Sequence, residues 1–426
     1  MDREAVGSRR PRIVLFGLFG SSNLGNDATL SVTLHHLRAR APSAELICVC
    51  GNPGAVERAH GVPSLPLDPL PPWTFWRVPN RALREACVAI ATIVTEPIRG
   101  ARIRRLVQGA DQFIVVGTGV LDDFGERPWA MPAWLYRWCR HAKRAGAVVR
   151  FLAVGAGPID NRANRFLMMR AVRLSDDRSY RDSVSKDFLQ GLGIDTARDP
   201  VVPDLVFGLP TEMLARYRAP VAPPRTIGIG VMGYFGWSND REKGRATYEA
   251  YLAKMSRFVL GVLHRGYTVR LLLGQLNADE RPVRDLLDAV IAQADSQAAA
   301  RLSAPKIETL HDLMGAIAET DAVVATRYHN VICALVLGRP VIAVGYASKF
   351  DALMREVGLD AYCQPIDQLS VDKLDEQFEE LMANHEQLAA QVMESAAALR
   401  DRLGHLYDSL FGVEAACALA PRELPR

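Results

Sequence analysis

Residues 321–350 read DAVVATRYHNVICALVLGRPVIAVGYASKF. A short apolar run ends at Thr326. A helical pattern starts near His329 and stops at Gly338 and Pro340. A second apolar run, PVIAVGY, follows at once. Buried parallel strands read as continuous apolar runs, and the helix between them is the crossover a parallel pair needs. The same alternation extends in both directions. RIVLFGLFG, ELICVC, QFIVVGTG, VVRFLAVGAG, RSYRDS and VVPDLVFG are strand-like pieces upstream, with helical stretches such as TLSVTLHHLRAR and WLYRWCRHAKRAG between them. TIGIGVMG, YTVRLLLG, a helix over 280–295 and a helical tail over 370–411 belong to the second half. The pattern defines an α/β protein.

A chain of 426 residues is long for one core. Prolines cluster in RAPVAPPR, residues 218–225, and the periodicity stops there. The expected organisation is therefore two Rossmann-like domains, 1–217 and 218–426, facing a cleft. Ligands in such sheets bind outside the carboxyl ends of the strands.

The net charge of +3 gives no indication of nucleic acid. Seven cysteines (48, 50, 87, 139, 333, 363 and 417) are scattered and odd in number, as expected of reduced thiols in a cytoplasmic protein. Cys48 and Cys50 fall on one face of a strand and lack a second pair for zinc, so they read as core. The charged start, MDREAVGSRRPR, is no signal peptide, and no apolar run is long enough to span a bilayer. Residues 73–106 stand apart, with seven arginines against two glutamates and Trp73, Phe75 and Trp76 at their start. They read either as an interfacial helix on an anionic membrane surface or as an ordinary buried helix with a solvated basic end.

Polar residues at strand ends are the candidates for chemistry. In GSSNLGNDATL the glycines permit close backbone approach, and Asn23, Gly25 and Asp27 lie where a helix begins; a pure capping role is the alternative. Asp122 and Asp123 in GTGVLDDFGE lack further ligands, and capping is the better account than a metal. In RSYRDSVSK, Arg181 stands before a helix start, an anion site or an Arg–Asp surface pair. Arg327, His329 and Asn330 follow one strand end and Lys349 the next. This brings two cations to one cleft with a titratable imidazole between them.

With these residues in place, the chain resembles the polysaccharide pyruvyl transferase family. NLGNDATL, AVGAGPI, RDSVS with the following PDLVF, and RYHNVICALVLGRPVIAVGY with SKF carry the resemblance, in family order, from residue 13 to about 360. It implies a GT-B-like fold. It implies transfer of a pyruvyl group from phosphoenolpyruvate to a sugar of a surface polysaccharide, as a cyclic ketal, with no cofactor and no metal. Arg327 and His329 match the family's Arg-x-His motif, linked to donor binding and acid/base catalysis. Arg181 and Lys349 match its other cations, with Asn330 beside them. Asn23, Gly25 and Asp27 match its N-terminal turn, although Asn26 intervenes before the acid. The turn is expected on the acceptor side, in the N-terminal domain, with Asp27 as a base. A lipid-linked acceptor would give residues 73–106 a purpose at the inner membrane face. The rival readings are a GT-B glycosyltransferase using a nucleotide sugar and a non-catalytic component of the polysaccharide machinery.

Overall fold

A computed structural model describes residues 9–70, 80–117, 119–124, 126–217, 225–236 and 241–411. By packing, the chain divides into two compact units. One holds Met1–Ser21, Thr29–Asp204 and His405–Arg426; the other holds Ser22–Ala28 and Leu205–Gly404.

The strands of the first unit are β1 (Arg12–Phe16), β2 (Glu45–Cys50), β3 (Ser64–Pro66), β4 (Gln112–Val116), β5 (Val148–Val154) and β6 (Asp177–Tyr180). All pairs are parallel, in the order β3-β2-β1-β4-β5-β6. The crossovers are α1 (Leu24–Arg40), α2 (Pro53–His60), α3 (Arg81–Val94), α4 (Glu96–Val107), α5 (Met131–Arg144) and α6 (Arg162–Val172), with α7 (Ser183–Gly191) after β6. Helix starts follow their caps: Asn52, Asn161 and Asp182 accept amide bonds from the first turns of α2, α6 and α7. Aromatics fix the core. Phe113 packs against Phe16 and stacks on Trp138, whose indole N–H donates to Leu67 O at 2.8 Å.

The second unit repeats the plan with β7 (Thr226–Gly230), β8 (Thr268–Leu272), β9 (Leu302–Ser303), β10 (Ala322–Ala325), β11 (Val341–Gly345) and β12 (Cys363–Pro365). The order is β12-β11-β10-β7-β8-β9, again all parallel. Its helices are α8 (Thr211–Ala215), α9 (Arg241–His264), α10 (Glu280–Ile291), α11 (Ser296–Ala299), α12 (Leu310–Ala318), α13 (Tyr328–Val336), α14 (Lys349–Glu356), α15 (Val371–Ala383) and α16 (His385–Phe411), whose residues from His405 on belong to the first unit. Strands β10 and β11 are wholly buried, which is why they read as unbroken apolar runs.

Three sequence expectations are corrected. The boundary falls between Asp204 and Leu205 rather than at 217/218, because Leu205–Gly208 is a 3-10 turn packed against α13. VVPDLVFG is accordingly no strand: only Val201 bridges to Tyr180. Residues 22–28 pack with the second unit, not the first. The long helix α9 escapes a reading based on strand-like runs.

The cysteine reading is matched at Cys48 and Cys50, both buried and free, and burial pushes the Cys48 thiol up to about 12. Trp73, Phe75 and Trp76 lie outside the described residues, as does Cys417. Among the described residues no helix is long and apolar enough to cross a membrane.

Candidate functional site

The second sheet reverses its strand order at β7, whose neighbours are β10 and β8. Crevices form outside the carboxyl ends of strands at such switch points. Gly230 ends β7, Gly274 follows β8, Thr326 and Arg327 follow β10, and Tyr346 to Lys349 follow β11. The Thr326 N–H donates to Gly230 O at 2.9 Å, which locks the β10 end to β7. The buried Tyr251 hydroxyl stands 2.7 Å from Thr326 Oγ1.

Arg327 occupies the N-cap of α13 in an extended conformation, and its side chain turns to Asp279. Nε donates to both carboxylate oxygens at 3.0 and 2.9 Å, and Nη2 completes a forked pair. Asp279 is fully buried, and its Oδ2 also accepts the Gln275 N–H at 2.8 Å. Burial pushes the Asp279 carboxyl above its usual range, against the pull of Arg327 and the amides. The sequence places Arg327 as a cation at the cleft. Here it is half of a buried pair, and only Nη1 is left unengaged by the carboxylate.

Asn330, expected to touch substrate, is buried completely. Its amide is wedged between two backbones: a Cβ on Gly230 would come within 2.5 Å of Nδ2, and one on Gly274 within 2.6 Å of Oδ1. Among the described residues neither amide atom meets a hydrogen-bond partner. Asn330 thus fills the space that Gly230 and Gly274 leave after β7 and β8.

His329 is half-buried, and one side of its ring is covered by backbone. A Cβ built on Gly25 would fall 1.9 Å from His329 Cγ and 2.1 Å from Nδ1 and Cδ2. The Gly25 main chain therefore lies directly on the imidazole. Residues 22–28 are brought there by the loop after β8: Asn23 bridges Gln275, and Leu276 N–H donates to Ser22 O at 2.9 Å. Asn23 caps the start of α1, with Oδ1 accepting Gly25 N–H at 3.1 Å and its carbonyl accepting Asn26 N–H at 3.0 Å. Asp27 lies one turn into that helix and is partly exposed. Expectation had the turn in the N-terminal domain; the structure puts Gly25 on the imidazole, within the second unit.

Lys349 opens α14. Its ammonium sits over two rings, 5.0 Å from the centroid of Tyr328 and 4.9 Å from that of Tyr346. Tyr328 also meets the His329 ring edge-on at 5.9 Å, so one tyrosine touches both candidate groups. Tyr328 thus links the His329 ring and the Lys349 ammonium, while Arg327, at the same helix start, turns its side chain to Asp279. Asp279 was missed, because 48 residues separate it from Arg327 in the chain. Its only sequence signal was an acid at a helix start just past a strand end.

The other candidates lie in the first unit. Arg181 lies flat across Gly155, whose Cβ would meet Nη2 at 2.5 Å. It stands between two buried carboxylates, 3.5 Å from Asp182 and 3.7 Å from Asp204. The strand end and helix start expected around it are present as β6 and α7, but its charge is matched by acids. Asp123 accepts the N–H of Asn161, the N-cap residue of α6, at 2.7 Å.

The two units are Rossmann-like, and the fold class is that of the GT-B glycosyltransferases and their epimerase kin. UDP-GlcNAc 2-epimerase from Neisseria meningitidis superposes with a TM-score of 0.58 at 12% identity, covering 94% of this chain and 99% of that one. A glycosyltransferase from Rickettsia africae gives 0.54 at 12% identity over 95% and 99%. The model of the polysaccharide pyruvyl transferase family matches residues 23–348, and the chain belongs to that family. The match opens at Asn23 and closes one residue before Lys349. The amylovoran biosynthesis protein AmsJ of Erwinia amylovora is 24% identical over 226 residues; the aligned region is 50% of this chain and 52% of that protein, so the chain spans about half the length of this curated relative.

Proposed function

We propose that the protein transfers the pyruvyl group of phosphoenolpyruvate to a sugar of a surface polysaccharide, or of its lipid-linked precursor, as a cyclic ketal. The observation that carries this reading is the imidazole of His329, covered by Gly25 and sharing Tyr328 with the Lys349 ammonium, in a chain of this family.

The donor has a phosphate and a carboxylate. Lys349, Arg327 Nη1 and the amides at the start of α13 supply the positive potential both need. Ketal formation begins with a proton delivered to the methylene carbon, which leaves C2 oxocarbenium-like. His329 is the acid, a role worth about 10²–10⁴-fold. A sugar hydroxyl then bonds to C2 and releases its proton. The C2–O bond to phosphate breaks, a second hydroxyl closes the ring, and its proton leaves with the phosphate. Asp27, in the segment that covers the imidazole, is the candidate base for the hydroxyls. Asp27→Asn should lower turnover without weakening phosphoenolpyruvate binding, since a carboxylate repels an anion rather than holding it. Weaker donor binding in that variant would remove Asp27 from the acceptor side.

The direct test is calorimetric titration with phosphoenolpyruvate beside a nucleoside diphosphate. Saturable binding of phosphoenolpyruvate alone, weakened in Lys349→Ala, is the expected result. Binding of the nucleotide alone would make the protein a nucleotide-sugar glycosyltransferase.

A further inference from the structure

Five of the eight exposed large apolar side chains described in the first unit lie together. Leu83, Ile90, Ile93 and Val94 lie along α3 at spacings of seven, three and one, with the exposed Ala86 between them, and Ile98 continues the row on α4. The five large side chains are between 52% and 71% exposed. That spacing is one face of a helix, turned to solvent rather than to the core. Contiguous apolar area of this kind marks an interaction surface.

Hydrogen bonds pin the α3–α4 junction. Arg99, almost wholly buried at the α3–α4 junction, donates through Nε to Asp68 at 2.9 and 3.1 Å and through Nη1 to Thr92 O at 3.2 Å. Ile103 and Val107 anchor the inner side of α4. Its outer side passes from Ile98 to Arg102 and Arg105, one and two turns on, and Arg104 is exposed beside them. The two acids of these helices are occupied, Glu85 by Arg127 and Glu96 by Arg137, which leaves the surface cationic.

The layer continues in the same character. α4 packs on α5 and α5 on α6. On α6, Arg170 spans the rings of Phe166 and Tyr136, and Phe166 is itself 58% exposed beside a shallow groove lined by Arg162, Arg165 and Arg173. Burial first, and then the charges of Arg140, Arg104 and Arg144, hold the His141 imidazole down to about 4.

We infer that the α3–α4 face docks on an anionic phospholipid bilayer, with Ile90, Ile93 and Val94 among the acyl chains and the arginines of α4 on the headgroups. Isoleucine and valine beside exposed arginines suit an interface that is apolar below and anionic above. A protein partner of ordinary composition would meet the apolar row but not the excess positive charge. The inference is independent of the transfer reaction.

Flotation of the full chain with vesicles tests it. Binding to phosphatidylcholine vesicles containing phosphatidylglycerol, and none to phosphatidylcholine alone, is expected. Arg104→Gln with Arg105→Gln should weaken binding about 25-fold, roughly fivefold for each lost charge at the surface. Ile90→Ser with Ile93→Ser should weaken it more than about tenfold. Both pairs are exposed, so melting temperatures should not change. Absence of binding to anionic vesicles overturns the inference, as does full binding by the isoleucine pair. A dimer of the native chain that the isoleucine pair dissociates would assign the face to a second copy instead.

Discussion

Gly25→Ala is expected to abolish turnover as thoroughly as His329→Gln, about 10²–10⁴-fold if the imidazole is the acid. The added methyl would sit 1.9 Å from His329 Cγ, inside any real contact distance, so the ring must leave its place. Nothing else about residue 25 requires glycine: its φ is not in the left-handed region. The cost is one of approach, not of backbone strain. Glutamine at 329 keeps the bulk and a hydrogen-bonding end but cannot deliver a proton at neutral pH. Phosphate release measured under saturating donor and acceptor checks both variants, and calorimetry should find donor binding near native in His329→Gln. Undiminished release by either would remove His329 from the chemistry.

The second large effect is on stability. Arg327→Leu leaves the fully buried Asp279 carboxylate without its partner, and breaking a buried pair from one side costs about 3–5 kcal/mol. The loss should depend on pH in a defined sense. Burial already raises the Asp279 carboxyl above its unfolded range, and removing the guanidinium raises it further. A group whose folded pKa is raised favours folding only while protonated. The penalty in Arg327→Leu should therefore be small in acid and grow as pH rises through the carboxylate range toward the folded pKa. Urea denaturation at acid and at neutral pH reads this directly. Adding Asp279→Leu should restore most of the stability, since apolar replacement of both partners removes the stranded charge. It should not restore phosphoenolpyruvate binding. Recovery of both together would mean that Arg327 serves the fold alone.

The alternation of apolar runs and helical stretches was enough to name the fold class, because a parallel sheet buried on both faces imposes unbroken runs and obligatory crossovers. RYHN and the glycine-proline stop after it placed Arg327, His329 and Lys349 at strand ends. What depended on distance along the chain was not. Asp279 and Arg327 meet only because β8 and β10 flank β7, and no local pattern records that adjacency. The tract 22–28 stands early in the chain yet packs with the second unit, since its backbone is captured by Gln275 and Leu276. Asn330 stands at a helix start in the sequence, and only the tertiary structure sets its amide against Gly230 and Gly274, which admit it because they carry no Cβ. By itself the sequence determined which residue types stand at which strand ends. Tertiary structure alone decided which are paired, covered or left open, since charge pairing and burial depend on neighbours supplied by other strands.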